Sequence, residues 1–227
     1  MVTYEQKSTL KVWCNKMIFL DRKDAGEKLT DSLEKFKDED VIVLAVPRGG
    51  LEIAYDTVKK FGFKWDLIIP RKIGAPHNKE FAIGAVAVDG SYFINNHYVK
   101  MLGISQEYIE KEVLEQTKEI KRRMKEYRGK DTFPEVKDKT VIIIDDGIAT
   151  GFTILAVIKS VKKQGAKKII LAIPVGPMEV IEEFKELVDE VICIYIPEQF
   201  YAVGSYYTDF KQVTDEEVFK IMNELRG

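Results

Sequence analysis

Two adjacent carboxylates, Asp145 and Asp146, stand at the end of the apolar run Val141 to Ile144. A short loop follows them, Gly147-Ile148-Ala149-Thr150-Gly151, and a helical pattern begins at Phe152-Thr153. A strand, a tight loop and a helix start together offer free N–H groups, hydroxyls and a positive dipole end, which suit a phosphate. Because two carboxylates would repel a bare phosphate, we expect them to bind sugar hydroxyls, directly or through a divalent cation. The segment therefore predicts a ligand that carries both a phosphate and a diol.

Two other apolar runs also lead into segments that could bind an anion. Val41 to Val46 precedes Pro47-Arg48-Gly49-Gly50, and Leu67 to Pro70 precedes the polar segment Arg71 to Glu80, which opens with two cations. In an open α/β sheet, ligands bind beyond the carboxyl ends of the strands. These positions predict that all three segments contribute to one site.

Short β-branched runs alternate with helical patterns along the chain. Their consecutive apolar positions are typical of a parallel sheet that is covered on both faces, and right-handed crossovers would connect its strands. The predicted strands are Val41 to Val46, Leu67 to Pro70, Val141 to Ile144, Ile169 to Ile173 and Val191 to Ile196. The predicted helices between them are Leu51 to Phe61, Thr153 to Gln164 and Glu179 to Leu187. The fold class is therefore α/β, with a mainly parallel central sheet and helices on both faces.

Two helical segments fall outside this alternation. Asp24 to Phe36 begins with capping-box spacing between Asp24 and Glu27. Ser105 to Arg128 has no Pro or Gly, and it runs from acidic to basic residues, an order that suits the helix dipole. The apolar stripe of this long helix would face the core or a second subunit, so the sequence allows a homodimer.

The bulk composition bounds the class of protein. The chain has 227 residues, of which 45% are hydrophobic, and a formal net charge of −2. One α/β domain accounts for this length, and the charge gives no reason to expect binding to nucleic acid or to a membrane. Cys14 and Cys193 stand far apart and are expected to be reduced thiols, with a disulfide as the minor alternative. The chain lacks a membrane-length apolar stretch and the apolar core of a signal peptide, which predicts a cytoplasmic protein.

The stretch VIIIDDGIATGFT resembles the phosphoribosyl pyrophosphate motif of type I phosphoribosyltransferases. The resemblance implies that Asp145 and Asp146 hold the ribose hydroxyls and act with Mg²⁺, and that the loop holds the ribose 5′-phosphate. The implied substrate-binding residues of this loop are Gly147, Ile148, Ala149, Thr150, Gly151, Phe152 and Thr153.

Flanking segments extend the resemblance. It implies that Arg48, Gly49 and Gly50 contact pyrophosphate, with a strained or cis peptide at Arg48-Gly49. It also implies that Arg71 to Glu80 includes the mobile catalytic flap. Lys72 is preferred over Arg71 as the cation for pyrophosphate, because an ammonium can meet a diffuse charge. Glu80 is a candidate proton acceptor.

The aromatic segment after the last predicted strand resembles the hood that stacks the nucleobase in this family, with Phe200 and Tyr201 nearest the strand end. The implied single domain, 1–227, has a core at about 38–95 and 138–197. Its helical insertion covers about 96–134, and its hood comes from about 1–37 and 198–227. Over nearly the whole chain, the motifs resemble a group of predicted phosphoribosyltransferases whose acceptor is undetermined.

The implied activity is transfer of the phosphoribosyl group from phosphoribosyl pyrophosphate to a nitrogenous base. Enzymes for 6-oxopurines usually carry an acidic residue where this chain has Ala149, which disfavours hypoxanthine and guanine as acceptors. Two alternatives stay open. One is a non-catalytic protein that senses phosphoribosyl pyrophosphate or a nucleotide. The other is a diphosphokinase that makes phosphoribosyl pyrophosphate, although such proteins are longer and no internal repeat is visible here.

Overall fold

The structure of the protein is a computed structural model that describes residues 19–227. Eight strands and seven α-helices build these residues. The strands are β1 (Val41–Ala45), β2 (Lys64–Leu67), β3 (Arg71–Ala75), β4 (Asn78–Val86), β5 (Tyr92–Ile94), β6 (Thr140–Ile144), β7 (Lys168–Val175) and β8 (Glu190–Tyr195). The helices are α1 (Arg22–Leu33), α2 (Gly49–Phe61), α3 (Asn96–Leu102), α4 (Gln106–Arg128), α5 (Phe152–Lys163), α6 (Met178–Lys185) and α7 (Asp215–Arg226).

The central sheet has five parallel strands in the order β2-β1-β6-β7-β8. Every residue of β1 and β6 is buried, because helices cover these central strands of the sheet, while the edge strands β2 and β8 are partly exposed. Helices α1 and α2 pack on each other and on this sheet, while α5 contacts both β7 and a second sheet. The predicted α/β fold class is therefore confirmed. Since β1 and β6 are neighbours, the segments that follow them emerge side by side.

The second sheet was not predicted. Strands β3, β4 and β5 form a three-stranded antiparallel sheet. The prediction that residues 71–80 form a polar loop is wrong, because most of this segment belongs to β3 and to the start of β4, which pair as a hairpin. The predicted strand Leu67 to Pro70 also starts too late: β2 spans Lys64–Leu67, since its parallel pairing with β1 begins at Lys64.

Both helices outside the alternation are present. Helix α1 begins two residues earlier than predicted, because Asp21 is the N-cap and accepts a hydrogen bond from the Asp24 N–H at 2.8 Å. It ends at Leu33, so Phe36 lies in a following 3₁₀ turn. Helix α4 begins after Ser105 and ends at Arg128, as predicted.

Phe19, the first described residue, is tied to the segment that precedes α7. The Phe19 N–H donates to the Tyr206 carbonyl at 2.8 Å, and the Thr208 N–H donates to the Phe19 carbonyl at 2.8 Å. The predicted domain boundaries stay a prediction, and Cys14 and the first part of the predicted hood lie outside the described residues. No helix within residues 19–227 has the length and apolarity needed to cross a membrane.

Candidate active site

The loop after β6 is held at both ends. The Ile148 N–H donates to the Val175 carbonyl at 2.9 Å, which ties the loop to the end of β7. Gly151 caps α5 with a φ of +73°, and a Cβ there would lie 2.9 Å from the ring of Phe184. A side chain is thus excluded at Gly151 on both conformational and steric grounds. Because the first N–H groups of a helix have no partner within it, α5 presents amide donors at this loop.

The residues of this loop differ in what they can offer a ligand. Ala149 and Thr150 are exposed, and Thr153 is half-buried. The Ile148 side chain is buried and its amide is used by Val175, so Ile148 offers a ligand little. The Phe152 ring packs against Phe93 with centroids 5.2 Å apart, so any contact from Phe152 would come through its backbone.

The loops after β1 and β6 are in direct contact. A Cβ on Gly49 would lie 2.0 Å from Asp146 Oδ2, and a Cβ on Gly50 would lie 2.5 Å from the Ile144 carbonyl and 3.0 Å from the Asp145 Cα. Only glycine permits this approach. The structure therefore brings Gly49 and Gly50 together with the two aspartates, because β1 and β6 are adjacent strands.

The cis peptide bond in this region is Pro47-Arg48. The sequence placed a strained or cis bond at Arg48-Gly49, so that prediction is wrong by one residue. The reason is that α2 already begins at Gly49, so the chain turns before the two glycines and not between Arg48 and Gly49.

The two carboxylates are costly to ionise where they stand. Burial raises the pKa of Asp145 well above its ordinary value, and the adjacent charge of Asp146 raises it further. Burial also raises the pKa of Asp146, although a hydrogen bond from Arg22 opposes this shift. Asp145 Oδ1 accepts a hydrogen bond from the Asp146 N–H at 2.9 Å.

Arg22 is a residue of this site that the sequence did not indicate. It lies in the first turn of α1, where the helix dipole disfavours a cation, yet it is buried. Its Nε donates to Asp146 Oδ2 at 2.8 Å and its Nη1 donates to the Lys211 carbonyl at 2.7 Å. Its guanidinium lies 3.9 Å from the ring centroid of Phe210. The one sequence signal was its place in Asp21-Arg22-Lys23-Asp24-Ala25-Gly26, one of the segments that resemble the predicted phosphoribosyltransferases, and that resemblance gave it no role.

A cleft of about 640 Å³ adjoins these loops. Of the residues with a predicted role, Arg48, Arg71, Lys72, Glu80 and Thr153 line it. The structure therefore brings together side chains from the loop after β1, from the first turn of α5, from the β3–β4 hairpin and from α4, whereas Asp145 and Asp146 do not line this cleft. Phe200 and Tyr201 are not among its lining residues.

The cations of the cleft differ in their partners. Arg48 pairs with Asp215 at 3.6 Å, and the Arg71 Nε donates to the Gln116 side chain at 2.7 Å. The Lys72 side chain is exposed and makes no ion pair or hydrogen bond within residues 19–227. Among these cations, Lys72 is thus the one with all its donors left for an anion.

Helix α4 forms one wall of the cleft. The residues that line the cleft from this helix are Glu112, Glu115, Gln116, Arg123 and Tyr127, and the buried Glu112 pairs with Lys79 of β4. Sequence reasoning treated α4 as a solvated helix with a core-facing or dimer-facing stripe, so it assigned none of these five residues to a site. A polar Glu112 inside the apolar stripe was a signal that could have found them.

The two aromatic residues assigned to base stacking have different surroundings. Phe200 stacks on Tyr206, with centroids 5.6 Å apart and an interplanar angle of 25°. Tyr201 is 76% exposed. Phe200 is thus held in place by a buried ring, whereas Tyr201 is not.

Residues 20–211 match the family model described as the phosphoribosyl transferase domain, and this range contains both loops and the whole cleft wall. The chain belongs to the phosphoribosyl transferase family. The type I resemblance seen in the sequence is therefore confirmed.

Among relatives of this phosphoribosyl transferase chain is a Mycobacterium tuberculosis protein named "putative phosphoribosyl transferase", which is 35% identical over 207 residues. That match covers 91% of this chain but 46% of the relative, so the chain spans about half the length of the curated protein it matches. The crystal structure of TT1426 from Thermus thermophilus is 35% identical, with a TM-score of 0.76. It covers 93% of this chain and 100% of TT1426.

The acidic residues of the site suit a metal that is bound mainly by its substrate. No cluster of three or more His, Cys, Asp or Glu side chains that could hold a metal occurs within residues 19–227. Mg²⁺ usually takes one or two carboxylates and completes its shell with waters and substrate phosphate oxygens. The half-buried pair Asp145 and Asp146 fits that requirement.

Proposed function

We propose that the protein transfers the 5-phosphoribosyl group from phosphoribosyl pyrophosphate to a nitrogen nucleophile, with release of pyrophosphate. The observation that carries this proposal is the contact between the two loops. Gly49 approaches Asp146 so closely that a Cβ would lie 2.0 Å from its carboxylate, and the amino end of α5 follows within a few residues. A pyrophosphate-binding loop, a diol-binding acid pair and a phosphate-binding helix start then share one edge of the sheet.

In this proposal, the loop after β6 binds the 5′-phosphate. The amides from Ala149 to Thr153, together with the Thr150 and Thr153 hydroxyls, supply the donors, and the positive end of the α5 dipole favours the dianion. Asp145 and Asp146 accept hydrogen bonds from the ribose hydroxyls. Holding the ribose at its 5′-phosphate and at its hydroxyls fixes the position of the anomeric carbon, and such positioning supplies a large part of an enzyme's rate enhancement.

In this proposal, the leaving pyrophosphate binds at the cleft that Arg48 and Lys72 line. The amides of Gly49 and Gly50, with the side chains of Arg48 and Lys72, would stabilise its charge as the bond to the anomeric carbon breaks. Arg71 contributes less, because its Nε is already bound to Gln116. Mg²⁺, held by Asp145 and Asp146, would neutralise part of the pyrophosphate charge when bound.

The acceptor enters this proposal as a nitrogenous base without a fixed identity. Ala149 places no acid before Thr150-Gly151, which disfavours a 6-oxopurine. Phe200 offers a ring that is already stacked on a buried neighbour, and Tyr201 offers an exposed one. Glu80, which lines the cleft and is exposed, stays a prediction as proton acceptor.

The test is release of pyrophosphate from phosphoribosyl pyrophosphate and Mg²⁺ in the presence of a panel of bases. We expect turnover with at least one base other than hypoxanthine or guanine. The double variant Asp145→Asn with Asp146→Asn should abolish turnover and remain folded, because both amides fit the space of the carboxylates. Retained turnover in that variant would remove the acid pair from the mechanism.

Two further measurements identify the other two activities if no base supports turnover. A sensor would bind phosphoribosyl pyrophosphate in calorimetry without turnover on any base. A diphosphokinase would form phosphoribosyl pyrophosphate from ribose 5-phosphate and a nucleoside triphosphate. The homodimer stays a prediction, and a monomeric mass in solution would contradict it.

A further inference from the structure

We propose that Arg22 is a positioning residue for ribose recognition, which fixes one carboxylate oxygen of Asp146 and leaves the other for a sugar hydroxyl. This inference rests on the proposed function of the acid pair. Arg22 lies 124 positions away from Asp146 along the chain. It therefore lies outside the loop motif that the family is known by.

The first step is the occupancy of the four carboxylate oxygens. Asp146 Oδ2 accepts a hydrogen bond from the Arg22 Nε at 2.8 Å, and Asp145 Oδ1 accepts one from the Asp146 N–H at 2.9 Å. Within residues 19–227, no hydrogen bond reaches Asp145 Oδ2 or Asp146 Oδ1. Each carboxylate is thus anchored through one oxygen, and each keeps one oxygen for a ligand. Two oxygens on adjacent residues match the two hydroxyls of a ribose.

The second step is the rigidity of the anchor. The Arg22 side chain is 9% exposed, and its Nη1 donates to the Lys211 carbonyl at 2.7 Å. The ring of Phe210 covers the guanidinium at 3.9 Å from its centroid. A planar guanidinium with two bonded edges and a covered face has one orientation, so it holds Asp146 in one orientation as well.

The third step concerns the neighbours that keep this arrangement intact. A Cβ on Gly49 would lie 2.7 Å from the Arg22 Nε, so the glycine leaves room for the ion pair as well as for a ligand. The Tyr207 hydroxyl donates to the backbone carbonyl of Asp146 at 2.6 Å. Asp146 is therefore held at its side chain and at its backbone by two residues from outside the loop.

The chain offers a matched control for the loss of a buried ion pair. Arg128 is 2% exposed and pairs with Asp66, whose side chain is 19% exposed. Asp146 is also 19% exposed in its pair with Arg22. The Arg128 pair joins the end of α4 to β2, and Arg128 bonds to Asp66, Met124 and Thr132 and not to the acid pair. Arg128→Gln should therefore disturb the fold as Arg22→Gln does, without touching the acid pair.

The experiment measures, by calorimetry, the binding of ribose 5-phosphate and of its 2,3-dideoxy analogue, which lacks both hydroxyls. We expect the wild-type protein to prefer ribose 5-phosphate. In Arg22→Gln, binding of ribose 5-phosphate should weaken about tenfold, as for one lost charge-assisted hydrogen bond, while binding of the analogue should change less than about twofold. Arg128→Gln should keep the wild-type preference, and Arg22→Lys should restore part of it.

The outcomes separate the two proposals. If the wild-type protein does not distinguish the two sugars, the acid pair does not bind the diol, and the proposed function fails at that point. If the wild-type protein distinguishes them and Arg22→Gln does so equally well, or loses both sugars equally, the positioning role of Arg22 is overturned. Should Arg22→Gln not fold, Arg22→Lys carries the same comparison, with a partial loss of preference expected.

Discussion

The tightest contact in the site gives the sharpest prediction, which is the substitution Gly49→Ala. The new Cβ would lie 2.0 Å from Asp146 Oδ2, and Cβ atoms are essentially never found closer than 3.0 Å to such a neighbour. The carboxylate must therefore recede by about 1 Å, and a displacement of that size can lower the rate of an enzyme about 100-fold. We expect kcat/KM for phosphoribosyl pyrophosphate to fall by about that factor.

The effect on stability should be much smaller. Overpacking costs about 1 to 3 kcal/mol, and replacing glycine in a compatible backbone conformation returns about 0.4 to 1 kcal/mol through the unfolded chain. In a chain of this length, about 1 kcal/mol shifts Tm by about 2 to 4 °C. The variant should therefore lose no more than about 10 °C in a thermal melt while losing most of its activity.

A control variant separates the local effect from a general one. Gly165→Ala places a side chain on a backbone with a φ of +78°, at the far end of α5, where the nearest atom to its Cβ is the Lys137 Cγ at 3.6 Å. Its cost of about 1 to 3 kcal/mol is comparable, but it should leave kcat/KM unchanged. If Gly49→Ala retained wild-type kcat/KM, the close approach of the two loops would have no part in function.

Three further predictions follow from contacts and charges. In denaturant titrations, Arg22→Met should lower the free energy of unfolding by about 3 to 5 kcal/mol, because it leaves the Asp146 carboxylate buried without its partner. Adding Asp146→Asn should recover part of this loss. A loss below about 1 kcal/mol in Arg22→Met would contradict a stabilising role for the ion pair. Lys72→Met should raise KM for phosphoribosyl pyrophosphate about tenfold, and Arg71→Met should raise it less, because the Arg71 guanidinium is bound to the Gln116 side chain of α4. Steady-state kinetics in which Arg71→Met raises KM more than Lys72→Met does would refute the assignment. Burial raises the pKa of the Cys193 thiol to about 12, so this cysteine should react with iodoacetamide far more slowly than a free thiol at about pH 8, and rapid labelling of its peptide in mass spectrometry would disprove that.

The parts of the fold that depend on local pattern could be predicted from the sequence. The all-apolar runs that became β1 and β6 are buried at every position, and consecutive burial is what a covered parallel strand requires. Helix α4 was located by a long stretch without Pro or Gly and by its charge order, and Ser105, at the predicted start, is its N-cap. These signals are carried by a few consecutive residues, so no knowledge of the rest of the chain is needed.

The parts that depend on a distant partner could not be predicted. The β3 segment carries glycine and charged residues, and it becomes a strand because β4 pairs with it. The edge strand β2 is placed by its register with β1 and not by its own apolar residues, which continue past its end. Arg22 shows the same limit within the site, because its role is defined by a residue 124 positions away.

The electrostatics of the acid pair argue that it is kept for a ligand and not for the fold. The pKa of each carboxyl in the folded protein is raised above its value in an unfolded chain, chiefly by burial. Between the unfolded-state pKa and the folded-state pKa of each carboxyl, the folded state therefore binds more protons than the unfolded state. The free energy of unfolding falls as the pH rises through that window. Ionising the pair therefore costs the fold stability, and a single guanidinium, that of Arg22, offsets only part of this cost. Hydroxyl donors or a cation brought by a substrate would offset the rest, so the site is better suited to its bound state than to its free one.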